Sequence, residues 1–141
     1  MNDDRDIVYF AYGANLSRNH MFLWCPHAAP LGRATLTGHR LVFRFWCDVM
    51  AAPGRTVPGC LYRLGDGDRQ WLDEYEDCPR LYERIAVTVT AESGERVEAM
   101  TYKMKAGQAF APPNQDYLAI VHVGYRDWGY DPAALPRLAS S

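Results

Sequence analysis

Six consecutive residues near the start, Ile7-Val8-Tyr9-Phe10-Ala11-Tyr12, are all apolar or aromatic, and Gly13 ends the run. β-Branched and aromatic residues favour a strand, and this one offers water no polar face. It therefore has to lie inside a sheet or barrel, with both faces covered. The remainder of the chain must supply that cover. Its 141 residues, 48% hydrophobic and 13% aromatic, bury roughly two thirds of the unfolded chain's surface at this length. A core of that size needs no disulfide or metal to hold it, so a single domain over residues 1–141 is expected.

The other segments mix strand and helix signals. Asn15 or Ser17 can cap a short helix that reaches Trp24 and is stopped by Pro26. Two β-like runs, 31–37 and 40–46, meet at Gly38-His39. The second alternates Leu41, Phe43 and Phe45 against Arg40, Val42 and Arg44, which puts one face on the core and the other partly in water. Residues 47–56 contain Pro53-Gly54 and read as a loop, ahead of another strand at 57–64. Asp66-Gly67-Asp68 opens an acidic helix over 69–77, ended by Pro79. Runs at 81–91 and 96–105 flank Glu92-Ser93-Gly94-Glu95, a hairpin signal. After Pro112-Pro113 comes a helix over 114–123, and a short helix is expected at 133–138. The total is about six strands and three or four helices with antiparallel connections, an α+β domain and not a chain of βαβ units.

Charge and cysteine usage exclude several functions. Fifteen Lys and Arg against seventeen Asp and Glu leave a net charge of -2, which supplies no basic surface for nucleic acid or anionic membrane. No window approaches the roughly 18–20 apolar residues of a membrane span. The Met1-Asn2-Asp3-Asp4-Arg5-Asp6 start lacks the positive charge and apolar stretch of a signal peptide. The four cysteines, Cys25, Cys47, Cys60 and Cys78, contain no C-x-x-C pair. They are expected to be free thiols in a reducing cytoplasm. Cys25 and His27 have the wrong spacing for a zinc site, and Gly65-Asp66-Gly67-Asp68 lacks the closing Glu of a calcium loop, so no metal is expected. There is no phosphate loop, G-x-G-x-x-G or G-x-S-x-G. Cys60 follows a Gly and four histidines exist, but nothing in the sequence aims a His at a Cys.

Two segments have more chemical content. In the turn Tyr12-Gly13-Ala14-Asn15-Leu16, a glycine lets the backbone bend just where a helix begins, and the first amides of a helix have no internal partner. Such a turn can receive a carboxylate or a developing oxyanion. The ordinary alternative is a strand–helix connection capped by Asn15. In the helix Trp71-Leu72-Asp73-Glu74-Tyr75-Glu76-Asp77, about 100° per residue places Trp71, Leu72, Tyr75 and Cys78 on one apolar arc. Asp73 and Asp77 point away from it, into solvent. Glu74 and Glu76 stand at its two margins, where partial desolvation would raise a carboxyl towards values useful to a general base. Two solvated surface acids are the plainer reading, and periodicity does not choose between them.

Taken in order, these segments resemble the gamma-glutamylcyclotransferase family. Tyr9-Phe10-Ala11-Tyr12-Gly13-Ala14-Asn15-Leu16 is similar to its Y-F-A-Y-G-S-N-L signature, with Ala14 in place of Ser. Leu72-Asp73-Glu74-Tyr75-Glu76 is similar to its L-D-x-x-E element, whose last Glu is the catalytic acid and base. Tyr82 matches a tyrosine at the start of the following strand. Ala111-Pro112-Pro113-Asn114-Gln115-Asp116-Tyr117 is similar to its A-P-P-x-x-x-Y. The resemblance covers about residues 7–125 and implies a compact mixed, mostly antiparallel β-barrel flanked by helices. It also implies cleavage of a small gamma-glutamyl amide by attack of the glutamyl alpha-amine on the gamma-carbonyl. The products are 5-oxoproline and an amine or amino acid, and no cofactor is involved. On this resemblance Glu76 is catalytic, and Tyr12, Gly13, Ala14, Asn15, Leu16, Tyr82 and Tyr117 bind substrate. A homodimer is implied on the same ground alone. The competing expectation is a binding module that holds the gamma-glutamyl group without turnover.

Overall fold

The computed structural model describes residues 7–136. Five strands close a barrel: β1 (Val8–Ala11), β2 (Ala29–Arg44), β3 (Trp46–Arg63), β4 (Tyr82–Ala91) and β5 (Arg96–Met104). Their order around the ring is β1-β3-β2-β4-β5. Neighbours are antiparallel except β1 and β5, which run parallel, with Tyr9 opposite Met100. The helices are α1 (Arg18–Trp24), α2 (Asp68–Tyr75) and α3 (Gln115–Asp127), with single 3₁₀ turns at Ala14–Leu16 and Pro132–Ala134. No helix among the described residues is long and apolar enough to cross a membrane.

β1 meets the demand its sequence makes. Tyr9, Phe10 and Ala11 are buried in the core cluster, while β3 and β5 pair with the two edges of the strand. Phe10, Leu16, Met21, Val49, Leu64, Leu72 and Val121 are among the fully buried side chains of the core, each worth about 1.5–3 kcal/mol of transfer free energy.

The strand count is five where about six were expected, and the reason lies in one hairpin. Residues 31–37 and 40–44 belong to the single strand β2, while Phe45 is the turn and Trp46 opens β3. Gly38, with φ of 74°, sits where the register shifts, since Thr37 faces Thr56 while His39 faces Ala51. Residues 47–56 are not a loop but part of β3, and Pro53-Gly54 falls within the extra length that β3 carries opposite Gly38. Pro and Gly are tolerated in a strand at such a bulge, where the ladder is already broken and, here, exposed. The reversal is instead at Phe45, between the paired Arg44 and Trp46. Its φ is 70°, and its N–H donates to Ala111 O at 2.9 Å.

The helices differ from expectation at their ends. α2 stops at Tyr75, and Asp77, with φ of 53°, turns the chain back before Pro79 acts. Trp71 leaves the expected apolar arc and is 53% exposed. Asp73, expected in solvent, instead accepts from Tyr102 Oη at 2.6 Å and pairs with Arg84 at 3.0 Å. Ser17, not Asn15, caps α1, accepting from His20 N at 3.3 Å. α3 runs on to Asp127 behind its cap Asn114. Of the short helix expected at 133–138, the 3₁₀ turn at Pro132–Ala134 is what forms, and residues 137 and 138 lie outside the described residues.

Candidate functional site

The turn after β1 is fixed from behind by α3. A Cβ on Gly124 would lie 2.5 Å from Leu16 Cβ and 2.6 Å from Ser17 N, so only glycine permits this approach of helix to turn. Trp128 Nε1 at the end of α3 donates to Leu16 O at 2.8 Å. Within the 3₁₀ turn the Leu16 N–H bonds Gly13 O and the Ser17 N–H bonds Ala14 O. The Ala14 and Asn15 amides come before the first of these internal donors. Asn15 is buried at the same place. Its Nδ2 donates to Tyr9 Oη at 3.1 Å, its carbonyl accepts from Tyr62 Oη at 3.0 Å, and its buried Oδ1 has no partner among the described residues.

In front of this turn lies a cavity of about 330 Å³. Tyr12, Gly13, Ala14 and Asn15 line one part of it, and Glu76, Tyr82 and Tyr117 line others. The cavity thus collects seven of the eight expected site residues from four separate parts of the chain. Leu16 is the exception, with its side chain fully buried in the core and its backbone serving the turn.

Glu76 arrives there by leaving the helix. Its N–H still bonds Leu72 O at 2.9 Å, but it is the residue after the last helical one. Glu74 stays on the exposed face. Enclosure among aromatic rings desolvates the Glu76 carboxyl and pushes it up from 4.5 to about 8. Burial first, and the nearby Glu76 charge second, also raise the Tyr75 and Tyr82 hydroxyls, which therefore stay protonated at neutral pH.

Tyr82 and Tyr117 both hold the backbone of Cys47 on β3. Tyr82 Oη donates to Cys47 O at 2.5 Å, and Cys47 N donates to Tyr117 Oη at 3.1 Å. Each hydroxyl keeps a function for a ligand: Tyr82 can still accept, and Tyr117 can still donate. A Cβ on Gly13 would come within 3.1 Å of Cys47 Cβ and 3.2 Å of Tyr117 Oη, so the glycine keeps this side of the cavity open. Burial pushes the Cys47 thiol up to about 12 and raises Cys60 too, leaving neither a nucleophilic thiolate near neutrality.

Sequence reasoning missed Tyr9, Trp46, Cys47, Tyr75, Arg80 and Tyr102 as lining residues. Trp46 reads as the end of the 40–46 strand and Cys47 as the start of a loop, and neither reading anticipates the reversal at Phe45 that brings both to the cavity. Tyr9 and Tyr102 are inward positions of strands, where a lining tyrosine looks like a core tyrosine. Tyr75 had a signal, being a polar-tipped ring one residue before Glu76. Among the described residues no group of three or more His, Cys, Asp or Glu comes together to hold a metal.

Known proteins share both sequence and barrel. A human protein named gamma-glutamylcyclotransferase is 28% identical over 140 residues, spanning 90% of this chain and 74% of its own. A solved structure titled "Gamma-glutamyl cyclotransferase" superposes with a TM-score of 0.81 at 27% identity, covering 87% of this chain and 80% of that one. The crystal structure of an aig2-like protein from Mus musculus gives a TM-score of 0.61 at 25% identity, over 79% and 82% of the two chains. The family described as gamma-glutamyl cyclotransferase, AIG2-like, matches residues 9–129, a stretch that takes in β1 from Tyr9 on, the turn and the residues that line the cavity. This chain belongs to that family.

Proposed function

We propose that the protein is a cyclotransferase that cleaves a gamma-glutamyl amide and releases 5-oxoproline, with Glu76 as its acid and base. What most supports this assignment of the base is the position of Glu76: one carboxyl, raised to about 8, faces the same cavity as the turn at Gly13-Ala14-Asn15. The free alpha-amine of the glutamyl group attacks its own gamma-carbonyl. One carbon–nitrogen bond forms and closes a five-membered ring, and the bond from that carbon to the leaving nitrogen breaks. Water is neither consumed nor released.

Both halves of the reaction need protons moved a short way. The substrate enters with its amine as an ammonium, which cannot attack. The Glu76 carboxylate takes that proton and delivers it to the leaving nitrogen, and the second proton, which the attacking nitrogen sheds to become the lactam N–H, passes the same way to the departing amine, which leaves as an ammonium. A base is most effective when its pKa lies near the operating pH, and an ordinary surface glutamate is too weak for an ammonium. The turn's amides and the Tyr117 hydroxyl are the donors for the glutamyl carboxylate and for the oxyanion that develops on the gamma-carbonyl. Tyr82 is an acceptor for the amine. Ala14, where the family has Ser, removes one hydroxyl from this set and leaves the backbone amides unchanged. Leu16 contributes by holding the turn.

Glu76→Gln keeps the shape of the side chain and removes the base. Turnover of gamma-glutamyl-alanine is expected to fall about 100-fold or more, while Glu74→Gln changes it far less. Equal losses in two folded variants would refute Glu76 as the base.

A further inference from the structure

The chain leaves Glu76 through a turn that borders the mouth of the cavity. Asp77, Arg80 and Leu81 all line it, and of the described lining residues Arg80 is the one cation. Resting on the cyclotransferase reading above, we propose that Arg80 selects the leaving group by binding its carboxylate, so that gamma-glutamyl amino acids are used in preference to gamma-glutamyl amines.

The backbone fixes where Arg80 starts, and exposure leaves its side chain free. Leu81 N donates to Asp77 O at 2.8 Å and Lys105 N donates to Leu81 O at 3.0 Å, which ties this turn to the end of β5. The Arg80 side chain is 80% exposed and pairs with Asp77, itself 43% exposed. An ion pair this wet is held weakly. The guanidinium has five N–H donors in a planar fork, and a single carboxylate uses at most two. Arg80 therefore has donors left for a second carboxylate, whether Asp77 stays or is displaced.

The chemistry says which carboxylate arrives. The glutamyl head, with its own carboxylate, sits against the turn at Gly13-Ala14-Asn15. The nitrogen that departs must be within reach of Glu76. In a gamma-glutamyl amino acid the carboxylate is two bonds from that nitrogen, on the part of the substrate that leaves through the mouth. Arg80 is four residues beyond Glu76 on the anchored turn. A leaving group without a carboxylate gains nothing from Arg80, and a cationic one is repelled by it.

The test compares gamma-glutamyl-alanine with gamma-glutamyl-ethylamine, which differs by that one carboxylate, with release of 5-oxoproline as the readout. Wild-type enzyme is expected to favour the alanine compound by about tenfold in kcat/KM, mainly through KM, with the ratio falling at high salt. Arg80→Gln collapses the ratio towards one, and Arg80→Lys restores part of it as a point charge without the fork. An Arg80 that instead bound the glutamyl carboxylate would weaken both substrates together, and that result would overturn the proposal. Equal use of the two compounds by the wild type, or a preference for a gamma-glutamyl diamine, would overturn it as well. Failure to form 5-oxoproline from any of them would refute the cyclotransferase reading instead.

Discussion

Replacing Glu76 by Gln is expected to stabilise the protein while it slows turnover about 100-fold or more, and the gain must depend on pH in a specified way. In the folded protein the carboxyl titrates at about 8, while the unperturbed value is 4.5. Between those values the folded chain keeps a proton that the unfolded chain has lost. Wild-type stability therefore falls as pH rises through that window, by at most about 1.36 kcal/mol per pH unit, and is level above it. From 4.5 to about 8 the ceiling is about 5 kcal/mol. Glu76 is only part-buried and faces a cavity of about 330 Å³ that admits water, so a realised difference of about 1–3 kcal/mol is expected. Glutamine has the shape of the protonated acid and does not titrate. The variant and the wild type should thus be nearly equal in stability near pH 4.5. At pH 9 the variant should melt roughly 3–10 °C higher for a domain of this size. Thermal or urea unfolding of both proteins at pH 5, 7 and 9 measures the difference. A difference that does not change with pH, or a variant less stable at pH 9, would refute the claim that the carboxyl is held desolvated.

Two further outcomes follow from the same geometry. Because the base form of Glu76 exists only above its pKa, kcat/KM for gamma-glutamyl-alanine should rise about tenfold per pH unit towards a bend near 8, and a bend near 4.5 in the pH–rate profile would contradict this. Gly124→Ala puts a methyl group against Leu16 and the Ser17 backbone, which should cost about 1–3 kcal/mol of stability and displace the turn enough to raise KM; calorimetry and steady-state kinetics read the two effects, and an unchanged KM would show that α3 does not set the turn.

What the sequence made legible was whatever depends on local composition. β1 was readable because six apolar residues leave a strand no exposed face. The β4–β5 hairpin was readable because Gly94 lies between two alternating runs and takes a φ of 92°. Local composition misled where long-range pairing decides. Pro53-Gly54 look like a loop, yet they lie in a bulge of β3 opposite Gly38, and the ladder resumes on either side. Phe45 has no turn residue's chemistry and still turns the chain, between the paired Arg44 and Trp46. The same limit applied to the base. Helical periodicity left Glu74 and Glu76 equivalent, and only the end of α2 at Tyr75 separates them, leaving one exposed and carrying the other into the cavity. The turn motif was visible as a strand ending in Gly13, but the arrival of Tyr82 and Tyr117 at Cys47 required closure of the barrel.

The central claim is that the glutamyl amine, not water, attacks the gamma-carbonyl. Mass spectrometry of the products from gamma-glutamyl-alanine, with the reaction run in heavy-oxygen water, tests it most directly. The expected result is 5-oxoproline free of heavy oxygen together with equimolar alanine, and no product from the N-acetyl substrate, whose nucleophile is blocked. Glutamate carrying heavy oxygen, or turnover of the N-acetyl compound at a comparable rate, would contradict it.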